Sequence, residues 1–225
     1  MMQPVIKVDL RHLFGEVRDQ GLRPTCLAFA VSDCHAAHRD GWEPLSPEFA
    51  FYQAQRRAGL PPTAGSALLH VLDAVREDGQ PSEESWPYLT DIPSDASKWG
   101  PPAVSQKYFR ASERADGSFA DVVGHLSAGS PPVLVLTIGE QFFSPDEYGM
   151  VRDADGEADV ARHAVVAIAS GENHEGNWLL VRNSWGAGWG IDGHAWVSEQ
   201  YVSRRLHRLA VLKEDLSVSI HKTAA

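Results

Sequence analysis

The fold of the second half of this chain is decided by three consecutive segments: His163-Ala-Val-Val-Ala-Ile-Ala-Ser170, Gly171-Glu-Asn-His-Glu-Gly176 and Asn177-Trp-Leu-Leu-Val-Arg-Asn183. Two apolar segments of strand length that flank a short polar turn are typical of a β-hairpin. Opposed residues in a hairpin have a constant sum of positions, so a turn at the centre of the polar run places His163 nearly opposite Asn183. Side-chain roots that face each other in this way are about 5 Å apart, and we expect the imidazole to contact the carboxamide.

Further strand-like segments surround this hairpin. They are short, rich in apolar and β-branched residues, and bounded by polar or turn-forming residues. A short helical pattern over 119–126 precedes most of them. The second half is therefore predicted to form an antiparallel sheet or barrel, with additional strands at 132–137, 194–197 and 209–212.

The first half has helical periodicity. Apolar side chains recur every three or four residues from Leu27 to Ala37, and Thr25 is a suitable N-cap. Cys26 then lies in the first turn, where backbone N–H groups and the helix macrodipole favour a negative charge. Further helices are predicted over 46–59 and 66–79.

The paired His163 and Asn183 need a nucleophile to form a catalytic group. An imidazole that donates one N–H to a carboxamide has a fixed tautomer and a second nitrogen for a reaction partner. Cys26 fits this role, because a thiol at a helix N-terminus beside a cationic imidazole ionises below its ordinary pKa of about 8.5. Thiolate attack on an amide places negative charge on oxygen, which the side chain of Gln20 and the backbone N–H of Cys26 could both bind.

These residues give the chain a resemblance to the papain-like cysteine peptidases. Gln20-Gly21 stands just before the helix-opening Cys26-Leu-Ala-Phe-Ala30, and a late His163-Ala-Val165 is followed by Asn183-Ser-Trp-Gly186 and Gly188-Trp-Gly190. His163 follows the thiol within the separation of about 130–150 residues that the family shows. The resemblance covers nearly the whole chain. It implies an α+β fold with a helical left lobe, a barrel-like antiparallel right lobe and an active-site cleft between them.

The resemblance also implies the domain layout and the residues that bind substrate. One papain-like peptidase domain is expected over 1–225, with a helical lobe at 16–100 and a β lobe at 101–225. Gly65-Ser66 stands where the family has a glycine pair that hydrogen-bonds substrate. Leu136 lies in a strand that resembles one wall of the main specificity pocket, and Trp185 is expected to shield the His163–Asn183 bond from water and to contact substrate.

Several positions depart from the family pattern. Arg23-Pro24-Thr25 replaces the usual cysteine-glycine-serine, so the disulfide from that position is absent, as is its partner near Thr63. Leu27 replaces the aromatic residue after the nucleophile, and Arg162 replaces the acidic residue often found before the histidine. These changes concern the edges of the cleft, its specificity and its pH optimum.

The implied activity is hydrolysis of peptide bonds through a thioester acyl-enzyme, with a peptide or protein substrate and no cofactor. Two alternatives stay open at the level of sequence. The same acyl-enzyme could serve a transpeptidase or a deamidase. A catalytically idle papain-like fold could instead act as a binding module, a reading motivated by Leu27 and Arg162.

Charge and hydropathy argue against nucleic acid and membranes as partners. Twenty basic and thirty acidic side chains give a formal charge of −10, which repels phosphate backbones and anionic lipids. No apolar run is long enough to span a bilayer. The one basic cluster is short and is interpreted as solvated surface; it consists of Arg204, Arg205, His207 and Arg208.

Two groups of potential metal ligands are interpreted as structural. His35 and His38 are one helical turn apart but lack a third ligand, so surface histidines are expected. A stretch of acidic residues lacks the spacing and the closing glutamate of a calcium loop, so a solvated loop is expected. No metal site is predicted. The acidic residues are Asp153, Asp155, Glu157 and Asp159.

The two cysteines bear on the cellular compartment. Cys26 and Cys34 share one predicted helix, about 12 Å apart along its axis, which is too far for a disulfide. Cys34 falls on the apolar stripe and is predicted to be a core residue. A chain without cysteine pairs favours a reducing compartment, the cytoplasm, with secretion as the alternative if a signal or pro-segment has been removed.

Overall fold

The chain forms two compact units in the computed structural model, which describes residues 3–91, 95–154 and 156–217. The β unit comprises 1–19 and 114–211, and the helical unit comprises 20–113 and 212–225. The predicted lobes differ from these units mainly because the N-terminal segment belongs to the β unit, while 101–113 and the segment after 211 belong to the helical unit. No helix among the described residues is long and apolar enough to cross a membrane.

One sheet of eight strands contains all the predicted strands. Its order is β2-β8-β3-β5-β6-β7-β4, and β1 pairs with β5. The mixture of sheet and helices confirms the predicted α+β class, but the order of the described strands is open rather than closed into a barrel, and β4 pairs with β7 in parallel. The strands are β1 (Val5–Asp9), β2 (Arg110–Ala115), β3 (Val133–Ile138), β4 (Met150–Val151), β5 (Ala161–Asn173), β6 (Gly176–Arg182), β7 (His194–Ser198) and β8 (Leu206–Asp215).

The predicted hairpin is formed by β5 and β6, with a different register. Asn173 pairs with Gly176, so the turn has only two residues and lies further along the chain than predicted. Asn173 Oδ1 accepts the Glu175 N–H at 2.8 Å, which stabilises this tight turn. A further shift between Ala167 and Ala169 bends the ladder.

This register changes the partner of His163. The β5–β6 ladder ends at Val166 and Arg182, before Asn183 is reached. In the sheet, His163 is paired with Leu136 of β3 instead. The predicted strand opposition of His163 and Asn183 is therefore wrong.

The sheet is held by a core in which both faces of the central strands are covered. Val133–Ile138 and Ala164–Ala169 are apolar almost without interruption and nearly all buried, as expected for strands covered on both faces. The α-helices among the described residues of this unit are α4 (Phe119–Ser127), α5 (Glu140–Phe143) and α6 (Glu199–Arg205). The 119–126 helix is thereby confirmed, and its Ser118 forms a capping box with Asp121.

The helical unit contains α1 (Cys26–Ala37), α2 (Pro47–Ala58) and α3 (Leu68–Asp73). Ser46 caps α2 by accepting the Phe49 N–H, and Gly59 ends the helix at φ 64°, both as predicted. The predicted 66–79 helix is shorter as an α-helix, because a π-helical turn over Ala74–Asp78 replaces its last part. Cys34 on α1 is fully buried, as predicted.

The expectation of two surface histidines is wrong for His35. All residues of α1 after Cys26 are buried, so this helix has no solvated face. His35 Nδ1 lies 3.0 Å from Gln80 Oε1, and Gln80 Nε2 donates to the Ser46 carbonyl at 2.8 Å. Burial lowers the pKa of His35 to about 3.

The prediction that the acidic loop and the basic cluster are two separate solvated surfaces is wrong, because arginines of the cluster pair with carboxylates of the loop. Arg205 is only 7% exposed and lies 3.2 Å from Asp153 and 2.8 Å from Glu157. It also contacts Asp159 at 3.1 Å. These carboxylates are therefore counter-ions of an arginine on α6; Asp155 lies outside the described residues.

Acid should destabilise this fold in part through His35. Its ordinary pKa of 6.5 falls to about 3 on folding, so between these values the unfolded chain binds a proton that the folded chain does not. Stability is therefore unaffected by this group above pH 6.5 and is lost as the pH falls below it, at about 1 kcal/mol per pH unit.

Urea unfolding of the wild type and of His35→Asn between pH 7 and pH 4 measures this contribution. Asparagine retains a donor for Gln80 but does not titrate, so the variant should lose less stability per pH unit than the wild type. Equal pH slopes would show that His35 does not carry the effect.

Candidate active site

The predicted site residues are divided between the two units, and each group has its own local geometry. The helical unit contains Cys26, Gln20 and Gly65-Ser66, and the β unit contains the others. The second group consists of His163, Asn183, Leu136 and Trp185.

Cys26 is the first residue of α1 and is half-buried. Thr25 is the N-cap, without a side-chain capping bond, and its carbonyl accepts the Phe29 N–H at 3.1 Å as the first helical hydrogen bond. The sulfur is thus attached where the N-terminal end of the helix carries partial positive charge. This placement, which the sequence predicted, favours the thiolate over the thiol.

Gln20 lies in a tight turn before α1 and is 6% exposed. Gly21 adopts φ 57°, a conformation that glycine reaches without strain. The Gln20 side-chain Nε2 donates to the Arg23 carbonyl at 2.8 Å. The carboxamide is therefore held in one orientation on the segment that leads directly into Cys26.

Gly65-Ser66 forms part of a loop that is anchored to α2. Gln55 Nε2 donates to the carbonyls of Pro61 and Ala64 at 2.7 and 2.8 Å, and Ser66 Oγ donates to Gln55 Oε1 at 2.9 Å. Gly65 itself is exposed, and a Cβ on it would lie 4.0 Å from the Cβ of Pro24. The loop thus lies beside the segment that precedes Cys26, with its glycine backbone open to solvent.

His163 and Asn183 form a direct hydrogen bond in the β unit. His163 Nε2 lies 2.7 Å from Asn183 Oδ1, and Oδ1 also accepts the Ser184 N–H at 2.8 Å. Because a carboxamide oxygen only accepts, Nε2 must carry the proton. Nδ1 is then the ring nitrogen that can accept or return a proton in a reaction.

Aromatic rings enclose this imidazole. The centroid of Trp185 lies 4.4 Å from that of His163, and Phe142 meets the imidazole edge-on at 5.9 Å. Phe143 stacks on Trp185 at 5.3 Å. The burial lowers the pKa of His163 to about 4, although the hydrogen bond to Asn183 opposes the shift. The indole of Trp185 therefore covers part of the imidazole.

Phe142 and Phe143 were missed by the sequence analysis. They lie on α5, a helix of four residues, which is too short to show a helical period. Their only sequence signal is a pair of aromatic residues after a predicted strand, and this pattern does not indicate what the rings contact.

Leu136 does not have the predicted role. It is fully buried in the core of the β unit and exposes no surface that a peptide could contact. Its backbone pairs with that of His163. Leu136 therefore supports the strand that carries the imidazole, and the substrate-wall assignment is corrected.

Metal-binding potential is low in the part of the chain that the structure describes. No group of three or more His, Cys, Asp or Glu side chains is arranged to hold a metal ion there. The chemistry that these residues support is acid–base and nucleophilic.

A model of the papain family of cysteine proteases matches residues 53–211. This chain therefore belongs to the papain family of cysteine proteases, and its class is that of the cysteine-type peptidases, which are hydrolases. The matched range contains His163 and Asn183 and begins after Gln20 and Cys26.

Curated relatives show the same kinship at low identity. An uncharacterized peptidase C1-like protein of Acanthamoeba polyphaga mimivirus is 26% identical over 87% of this chain and 68% of its own length. A cathepsin L-like protein of Caenorhabditis elegans is 26% identical over 84% of this chain and 57% of its own length. The chain thus spans little more than half the length of the second relative.

Solved structures share the fold. Xylellain, a cysteine protease from Xylella fastidiosa, superposes with a TM-score of 0.73 at 22% identity, over 94% of this chain and 87% of that one. A procathepsin B from Trypanosoma congolense gives 0.74 at 16% identity, over 95% and 79%. These similarities confirm the papain-like fold.

Trp185→Ala should raise the pKa of His163 from about 4 towards its ordinary value, because water would reach the ring. NMR titration of the imidazole in a Cys26→Ala background measures this shift without a titrating thiol. His194 in the same unit, whose pKa burial also lowers, is the internal control and should not change. An unaltered His163 pKa would contradict the shielding role of the indole.

Proposed function

We propose that this chain hydrolyses peptide bonds through a thioester acyl-enzyme. Cys26 is the nucleophile, His163 the general base and acid, and Asn183 the group that orients the imidazole. Gln20 and the Cys26 backbone N–H bind the oxyanion. The observation that carries the proposal is the 2.7 Å bond between His163 Nε2 and Asn183 Oδ1, because it leaves Nδ1 for proton transfer.

Acylation follows from these roles. The Cys26 proton passes to His163 Nδ1, and the sulfur attacks the carbonyl carbon of the substrate. The C=O electron pair moves onto oxygen, where the side-chain NH₂ of Gln20 and the Cys26 N–H donate hydrogen bonds. The tetrahedral intermediate collapses, the C–N bond breaks, and His163 returns its proton to the leaving amine.

Deacylation uses the same groups with water as nucleophile. His163 Nδ1 takes a proton from the water molecule, whose oxygen attacks the thioester carbonyl. The second tetrahedral intermediate expels the Cys26 thiolate and releases the carboxylic acid. The imidazolium and thiolate left behind are the pair from which the next cycle begins.

The proposed roles couple the titration of His163 to that of Cys26. On its own the imidazole is neutral at pH 7, because its pKa is lowered to about 4. A thiolate partner favours the imidazolium, so the protons of Cys26 and His163 titrate as a pair. The Asn183 hydrogen bond raises the pKa of His163 and so contributes to charge separation.

The proposed substrate is a peptide or protein. The exposed backbone at Gly65 can pair with the main chain of an extended peptide, and the partly exposed face of Trp185 offers an aromatic contact. Both groups recognise features common to peptides of any sequence. The proposal therefore concerns the substrate class.

Selective alkylation tests the nucleophile. Iodoacetamide under reducing conditions should modify Cys26 much faster than Cys34, which is the internal control because it is fully buried. Cys26→Ala should reduce peptide hydrolysis at least about 1,000-fold. Peptide mapping locates the label, and assays with added amines separate hydrolysis from acyl transfer. A folded chain whose Cys26 resists alkylation would refute the proposal.

The pH dependence of alkylation tests the pairing of Cys26 with His163. In the wild type, the alkylation rate should rise with a midpoint below the ordinary thiol pKa of about 8.5, and His163→Ala should move the midpoint up towards that value, because only the effect of the helix N-terminus remains. The rate is followed by mass spectrometry from pH 4 to pH 10. Coincident midpoints in the two proteins would show that the two groups do not act together.

A further inference from the structure

Arg23 links two environments in the helical unit. Its carbonyl accepts the Gln20 side-chain Nε2 at 2.8 Å and the Thr25 N–H at 2.8 Å. Its guanidinium is 2% exposed and points away into the protein interior. One residue therefore connects the orientation of the Gln20 carboxamide to the packing beneath the 20–25 segment.

The buried guanidinium is held by Glu48 on α2, which is 0% exposed. Two hydrogen bonds join them, from Nη1 at 2.5 Å and from Nη2 at 3.0 Å, in the bidentate geometry that only arginine offers. Nη1 also donates to the Leu89 carbonyl at 2.6 Å. Trp99 Nε1 donates to Glu48 at 2.7 Å, so the carboxylate is fixed from several directions.

Tyr88 connects the same segment at a second place. Its hydroxyl donates to the Gln20 carbonyl at 2.7 Å and lies 2.9 Å from Thr25 Oγ1. The Arg23 guanidinium lies 5.0 Å from the Tyr88 ring centroid. The Gln20 carboxamide is thus held by Arg23 itself. The Gln20 backbone and the Thr25 side chain contact Tyr88, whose ring packs against the Arg23 guanidinium.

We propose that the buried Arg23–Glu48 ion pair is the positioning element of the oxyanion site: it fixes the Arg23 carbonyl, which in turn aims the Gln20 carboxamide. The inference rests on the proposed function, since it assigns a task only if Gln20 binds an oxyanion. Neither side chain touches the reacting atoms, so both are positioning residues.

The energetic argument favours positioning over stability as the role of this pair. Replacing a buried ion pair by neutral side chains of similar size is often neutral or even stabilising. An oxyanion donor, in contrast, acts only when it is placed within a few tenths of an ångström of the developing charge. Loss of the ion pair should therefore change the free energy of unfolding only slightly but lower kcat strongly.

The test variant is Arg23→Met/Glu48→Gln. It leaves no buried charge, and glutamine still offers an acceptor to Trp99 Nε1. We expect kcat against a peptide amide to fall about 10- to 100-fold with KM little changed. Arg23→Lys keeps the charge without the bidentate geometry and should give an intermediate kcat. Thermal unfolding confirms that each variant is assayed in its folded state.

Two further readouts separate positioning from a general structural effect. Alkylation of Cys26 by iodoacetamide forms no oxyanion, so its rate should stay within about 2-fold of the wild type while peptide hydrolysis falls. When Arg23→Met/Glu48→Gln is combined with Gln20→Ala, kcat should fall by no more than about 3-fold below that of Gln20→Ala alone. The carboxamide that the ion pair positions is already absent in that background. Full additivity with Gln20→Ala would overturn the proposal.

Arg110→Met is the matched control in the same unit. Arg110 is another buried arginine, 6% exposed, and donates to the carbonyls of Lys213 and His38. The Arg110→Met variant should be less stable than the wild type but should keep the wild-type kcat. If the wild type shows Cys26-dependent turnover and Arg23→Met/Glu48→Gln is fully active, the positioning inference is rejected and the proposed function stands. If the wild type hydrolyses no peptide, the proposed function itself is rejected.

Discussion

The hydrogen bond between His163 and Asn183 is the constraint around which the chemistry of the β unit is organised. It assigns the proton to Nε2, because the carboxamide oxygen can only accept. It also compensates in part for the burial that the surrounding aromatic rings impose on the imidazole. Without that acceptor, the low-dielectric enclosure would leave a buried donor unsatisfied, at a cost of about 1–3 kcal/mol. The fold can therefore enclose the base only because it also supplies the acceptor.

The sequence predicted this contact for a reason that was partly mistaken. Apolar runs and a polar turn identified the β5–β6 hairpin, but a two-residue turn and a ladder shift moved its register, and Asn183 meets His163 beyond the end of the ladder. Register depends on turn geometry and packing, which the apolar pattern alone does not specify. The motif spacing predicted the pairing, whereas strand geometry did not.

Other errors have the same physical origin. The family resemblance predicts a substrate wall at Leu136, and the lack of a third metal ligand favours a surface position for His35. Both side chains are buried instead, because β3 and α1 are covered on all sides. The short basic cluster predicts a solvated Arg205, but the carboxylates that pair with it lie in a distant part of the sequence, where a local pattern does not reveal them. In contrast, helix caps such as Ser46 and Gly59 act within one turn of the chain, and they were predicted correctly.

Arg23 stands where the family resemblance would place a cysteine, and neither of the two cysteines of the chain is in a disulfide. The segment before Cys26 is therefore anchored by an Arg23–Glu48 ion pair, which a reductant does not break. Where a disulfide anchors the segment beside a reactive thiol, the reductant that keeps the thiol reduced can also cleave that disulfide. In this chain, a reductant can return an oxidised Cys26 to the thiol without breaking the ion pair that anchors the segment before it.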